Sequence, residues 1–334
     1  MIPGTFLLLV LPSIFGMVLG KPHIRGGRHR HRPRNAEISL TTPRVFVLED
    51  FYKGKSFLTD WSLFSAHDPT HGLVNYQTRE KAISKRLAYV DGSTTVLAVD
   101  DFSHIAVGAK RDSVRITSKK RYNGGLFIAD FESMPHGCSV WPAYWSVGDI
   151  DVVEGVHNGP TNLYTLHTSS GCSMSPVTDL STRSKFKSLS KLNHASCGSS
   201  GKDNRGCGFS DPDPSSYGQQ FNNGNGGVFA HLWDSTGIRI WRFQRSDIPK
   251  DIRDHTPNPA SWGIPAAFFP SGSNCDMKKH FFDHSLVIDT TLCGDFGNST
   301  FGRSGCKGTC AQAVTNPANF KLAKWRINYI AVYQ

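Results

Sequence analysis

Apolar residues recur at every second position in "IRIWRF" (238–243) and in "WRINYIAVY" (325–333). That is the spacing of a strand with one buried face. Strand composition also marks "SVRITS" (113–118), "GLFIADFES" (125–133), "NLYTLHTS" (162–169), "GIRIWRFQR" (237–245), "HSLVIDTTL" (284–292) and "KWRINYIAVYQ" (324–334). Gly, Asn, Asp, Ser and Pro punctuate these runs, and no long helical periodicity interrupts them. One short helix is expected within 311–323, limited by Pro317. Many short strands without alternating helices predict an all-β antiparallel sandwich or barrel. The last run reaches the final residue, so a sheet is expected to hold it. Residues 171–227 are rich in Ser, Gly, Asn, Asp and Cys, and are expected to form long loops tied by disulfides.

The first twenty residues change the picture. "MIPGTFLLLVLPSIFGMVLG" is apolar from Phe6 to Leu19 and ends in small residues, the pattern of a cleaved secretory signal. It is short for a membrane span. Residues 1–20 are therefore expected to be a signal peptide, and the mature protein secreted, extracellular or wall-associated; an uncleaved anchor is the alternative, since no basic residue precedes the apolar run. The next stretch, "KPHIRGGRHRHRPR" (21–34), carries six positive charges and no acid. Removing those six from the net +10 leaves +4 for residues 35–334. The basic charge thus belongs to a leader, 21–44, which is patternless and expected to be disordered. No nucleic-acid motif accompanies it, so nucleic acid is not an expected partner. The globular domain is expected over 45–334.

There are 8 cysteines, and an even count behind a signal implies disulfides whose pairing one sequence does not give. Cys306 and Cys310 lack a second ligand pair at zinc spacing, so no metal site is expected. Asn298-Ser299-Thr300 is an N-glycosylation sequon. The 7 Trp and 9 Tyr suit sugar stacking, but core packing is the commoner use of such rings.

Candidate chemistry concentrates in "WPAYWSVGDIDVVEGVHNG" (141–159). Asp149 and Asp151, two apart, would share one face of a strand. Glu154, three further on, would face the other way unless a one-residue bulge at Val152 or Val153 restored it. With the bulge, three carboxylates line one wall. Such a pair can cleave a glycosidic bond with retention when its groups lie about 5–5.5 Å apart, and a third acid between them tunes their protonation. Leu163, Thr165 and His167 would share a face beside them.

At "GDIDVVEG" the chain resembles glycoside hydrolase family 16, whose strand signature is Glu-x-Asp-x-x-Glu, in its secreted fungal laminarinase branch. "DPTHGLVNY", "DSVRI", "MPHGCSVWPAYW", "LHTSSGC", "SYGQQFNNGNGG", "WGIPAAFFP" and "CGDF" follow in family order across about 45–334. The resemblance implies a concanavalin A-like β-jelly-roll sandwich with a glucan-binding cleft and a mechanism without a cofactor; the protein is expected to be a monomer. It implies retaining cleavage of β-1,3- or mixed-linkage β-1,3(4)-glucan. Asp149 falls at the nucleophile, Asp151 at the assisting acid and Glu154 at the general acid/base. Trp145, His167, Arg115 and Asn75 match substrate-facing positions. A non-catalytic glucan-binding protein and a transglycosylase are the alternatives on the same scaffold.

Two departures fall at the nucleophile. The family has Glu where this chain has Asp149, and roughly ten more residues before it. Asp is one methylene shorter, and a misplacement of roughly 1 Å can cost about 100-fold in rate. The chain is therefore expected to be a weak or inactive glucanase that still binds glucan.

Overall fold

Two antiparallel sheets of eight strands each form the body of the molecule. The computed structural model describes residues 44–174, 188–200 and 203–334. The signal and most of the basic leader therefore lie outside the described residues. The first sheet runs Ala267–Pro270, Gly237–Gln244, Gly227–Asp234, Gly125–Ser133, Lys324–Tyr333, Thr94–Ala98 and Ala88–Asp91, with Leu48–Tyr52 also paired to Lys324–Tyr333. The second runs Lys191–His194, Cys207–Ser210, Leu163–Leu166, Ile150–Glu154, Val140–Ser146, Leu286–Leu292, Arg115–Ser118 and Trp61–Leu63. A small parallel pair, Val74–Tyr76 with Arg111–Ser113, stands beside them.

The main core lies between the sheets. Phe131 of the first sheet meets Tyr144 of the second edge-on, with ring centroids 5.5 Å apart. Phe127, Phe229, Trp325, Ile116, Ile150, Tyr164 and Ile288 belong to the same buried cluster. A second cluster, including Ile128, Val228, Trp241, Ile252 and Trp262, covers the other face of the first sheet. That sheet is buried on both faces, which is why "GLFIADF" reads as a continuous apolar run rather than an alternation. The second sheet keeps its free face for polar residues, and the candidate site lies there.

All eight cysteines are paired, as Cys138–Cys306, Cys172–Cys275, Cys197–Cys207 and Cys293–Cys310. Cys306 and Cys310 thus serve two different bridges. Cys172–Cys275 and Cys197–Cys207 tie down the loop-rich region after the central strands, part of which (175–187) is outside the described residues. That region is not all loop: it also holds the strands Lys191–His194 and Cys207–Ser210 and the helix Gly218–Asn223. Near the C-terminus, Pro317 divides the expected helix into Cys310–Thr315 and a short 3-10 turn, Pro317–Phe320. Asn298 is exposed on the helix Gly294–Phe301.

Candidate active site

The alternation in "WPAYWS" sets the site's floor. Tyr144 is fully buried in the core, so Trp141, Ala143 and Trp145 face the other way. Five of the seven tryptophans are core residues; Trp141 and Trp145 are the half-buried exceptions. Beside this strand runs Ile150–Glu154. Asp151 pairs with Trp145, but Val153 pairs with Tyr144, so one extra residue is inserted between them. Val152 and Val153 both enter the core, at 1% and 0% exposure. The bulge therefore turns Asp151 and Glu154 to the same face. Glu154 sits opposite Ala143 and Leu163, and Asp151 opposite Thr165.

Asp149 is placed differently from the sequence expectation. It does not share a strand with Asp151. It closes the three-residue turn Val147–Asp149 between the two strands, with φ +81°, and its N–H donates to Ser146 O at 2.9 Å. The approach to Asp149 is a tight hairpin, and Asp tolerates the left-handed backbone better than most side chains. On its other side, His167 N donates to Asp149 O at 3.1 Å. From the turn, the Asp149 carboxyl feels the charges of Asp151, His167 and Arg115.

Burial, then the Asp151 charge, push Asp149 up to about 7, against the pull of His167 and Arg115. Burial and the charge of Asp289 push Asp151 up to about 7. Burial, then Asp151, push Glu154 up to about 8. His167 and a hydrogen bond from Trp141 Nε1 at 3.2 Å pull Glu154 the other way. Neighbouring like charges cannot all be expressed cheaply, so the row holds protons at neutral pH.

His167 links the row to the disulfide-tied loops. Its Nε2 is 3.3 Å from Asp151 Oδ2, and its Nδ1 is 2.8 Å from Ser199 Oγ. The Asp151 contact is electrostatic rather than an aligned hydrogen bond, and Oδ2 finds no donor among the described residues. A carboxyl without donors favours its neutral form. Arg115 stacks between Phe64 and Trp145, its guanidinium carbon 4.7 and 5.0 Å from their ring centres. It thereby buttresses the tryptophan beside the acids.

Asn75 is not brought to the carboxylates. It is exposed and donates to Asp112 at 2.7 Å. Its neighbour Tyr76 points the opposite way and donates to Asp289 Oδ2 at 3.1 Å. Asp289 is a fourth carboxyl here, buried like Asp151, opposite Ala143 on the adjacent strand and hydrogen-bonded by Trp145 Nε1 at 3.3 Å. Burial holds it up to about 6, against the pull of Arg115. A carboxylate among the apolar residues of "HSLVIDTTL" was the available signal for it, as the shared phase of Trp141 and Trp145 was for Trp141. Beyond Glu154 the surface opens into a cavity of about 330 Å³, lined by Gly155, Asn158, Thr161, Leu163, Phe296 and Arg303 among others.

A row of acids on the open face of an antiparallel sandwich, framed by tryptophans and a histidine, is the equipment of a glycosidase. Residues 61–333 match the XgeA-like catalytic domain of glycoside hydrolase family 16. The chain is 38% identical over 315 residues to a probable glycosidase of Schizosaccharomyces pombe, covering 92% of this chain and 73% of that protein. It is 38% identical over 315 residues to an endo-1,3(4)-beta-glucanase of Arthroderma benhamiae, covering 90% of this chain and 66% of the other. Several Aspergillus relatives are longer still, and the chain spans about half of their length, 46% for that of Aspergillus flavus. The structure of laminarinase 16A from Phanerochaete chrysosporium, with beta-glucans in donor and acceptor sites, superimposes with a TM-score of 0.82 at 36% identity, covering 87% of this chain and all of that one. This chain belongs to glycoside hydrolase family 16, and its fold is the family's β-jelly roll.

Proposed function

We propose that the protein is a secreted, retaining β-glucanase that cleaves β-1,3- or mixed-linkage β-1,3(4)-glucan, slowly. The observation that carries this reading is the bulge, which sets Glu154 and Asp151 on one face, with Asp149 in the turn that leads into their strand. Asp149 attacks the anomeric carbon. Glu154, protonated near neutrality because its carboxyl is pushed up to about 8, gives its proton to the leaving oxygen. A glycosyl ester on Asp149 results. Glu154, now ionised, takes a proton from water; the water oxygen attacks the same carbon, and Asp149 leaves as carboxylate. Asp151 lies between them and takes up or releases charge as each step requires. Trp145, braced by Arg115 and Asp289, offers a ring face to the sugar.

Slowness follows from the short side chain on a pinned backbone. Secretion is inferred from the apolar run Phe6–Leu19 and supported by four disulfides, which persist in oxidising compartments. Sizing of products from laminarin tests the reading: chain shortening supports hydrolysis, and longer products would indicate transfer to a sugar hydroxyl. Binding of laminarin without any change in its length would replace the enzyme reading with that of a glucan-binding protein.

A further inference from the structure

We propose that His284 is a positioning residue for Asp149, its imidazole forming the floor on which the Val147–Asp149 turn rests. The proposal builds on the reading of Asp149 as nucleophile. His284 precedes the strand Leu286–Leu292 and is 1% exposed. Its backbone is paired both ways with Tyr122, at 2.9 and 2.8 Å. Its Nδ1 lies 2.8 Å from Ser146 Oγ, at the residue where the turn begins.

The far edge of the ring lies directly beneath Gly148. A Cβ on Gly148 would fall 2.1 Å from His284 Nε2 and 2.5 Å from Cδ2. Only glycine fits there, and its φ of +111° suits glycine alone. The neighbouring backbone is tied to the same segment, since Val147 N donates to Ser285 O at 2.8 Å. Behind the ring stand Trp233 and Phe281, with centroids 4.7 and 5.7 Å away. The imidazole therefore has no room to retreat from the turn.

Nε2 is buried and has no hydrogen-bond partner among the described residues. It acts on Gly148 by contact, and its lone pair is the less costly group to leave orphaned there. A protonated ring would aim an unpaired N–H at the turn. The titratable group that acts on the ring is Asp283, and the ring in turn acts on His231, on the strand Gly227–Asp234. Burial keeps both imidazoles uncharged, His231 pushed down to about 3 and His284 to about 4.

The test uses the full chain and two variants. His284→Asn keeps an amide near the Nδ1 position for Ser146 and deletes the distal ring atoms. Ser146→Ala removes the hydroxyl alone. Laminarin kinetics are read beside hydrogen exchange at the Val147 and Asp149 amides. His284→Asn is expected to lower kcat about 100-fold with KM within about twofold, as expected for a displaced reacting group. Turn amides should exchange faster while those of Gly125–Ser133 do not. Ser146→Ala should move kcat the same way, by about tenfold. A folded His284→Asn with unchanged kcat and unchanged exchange overturns the proposal. If His284→Asn does not fold, a Ser146→Ala protein indistinguishable from wild type in both readouts overturns it. Faster turn exchange in a chain that never cleaves glucan would support the positioning while removing the catalytic reading.

Discussion

Lengthening the nucleophile is the most informative perturbation. Asp149 is held at both ends of its peptide unit, its N–H on Ser146 O at 2.9 Å and its C=O on His167 N at 3.1 Å. The turn cannot advance to replace a missing methylene, so the carboxylate's reach is set by side-chain length. A shortfall of roughly 1 Å corresponds to about 100-fold in rate, or about 2.7 kcal/mol of barrier. Asp149→Glu should recover most of this, raising kcat on laminarin by about 10- to 100-fold with little change in KM. The gain has an opposing cost. At φ +81° a longer side chain loses the local stabilisation that Asp enjoys, a penalty of about 1 kcal/mol. Thermal melting should therefore fall by about 2 °C in the more active variant. Both quantities come from one purified pair, by reducing-sugar release and by calorimetry. Equal, strong activity in both proteins, or a folded Asp149→Glu that is slower than wild type, would refute the reasoning from length.

Three further outcomes follow from the carboxyl row. Glu154→Gln should lower kcat on laminarin by about 10²- to 10⁴-fold, and far less on an aryl glycoside whose leaving group needs no proton; equal losses on both substrates would remove Glu154 from the acid role. His167→Ala removes a group that lowers Asp149 and Glu154, so both limbs of the pH–rate profile should move to higher pH, and an unmoved profile would contradict the assignment. Asp151→Asn should raise melting temperature at pH 8 and change it little at pH 4. The folded carboxyls titrate above their unfolded values, so their stability contribution is full below about pH 4 and is lost as pH rises through 7 to 8. From 3.8 to about 7, Asp151 alone accounts for up to about 4 kcal/mol at pH 8. His231 and His284 act in the opposite sense, stabilising above about pH 6.5 and losing that as pH falls toward 4 and 3. Melting differences that are the same at pH 4 and pH 8 would contradict the shifted carboxyls.

The strands were readable because each carries its own period. "GLFIADFES" is the strand Gly125–Ser133, and "KWRINYIAVYQ" contains Lys324–Tyr333, paired within a sheet as expected. The bulge was readable too, since only an inserted residue puts Asp151 and Glu154 on one face. Asp149 was not, because strand phase was extended one residue past the end of the strand, into a turn. That turn's shape depends on Gly148 over His284, a contact between residues 136 positions apart. Tyr76 shows the same limit. That it points toward Asp289 is decided by how a short parallel strand docks, and two residues of period cannot specify that. Asp289 enters the row through sheet order, which sequence spacing does not carry.

Asp149 and Glu154 together should cleave with retention. This is tested most directly by following the anomeric protons of the first products from laminarin by NMR. The β-anomer should appear first and relax slowly to the mixture. Initial release of the α-anomer, or no new reducing end at any enzyme concentration, would contradict it.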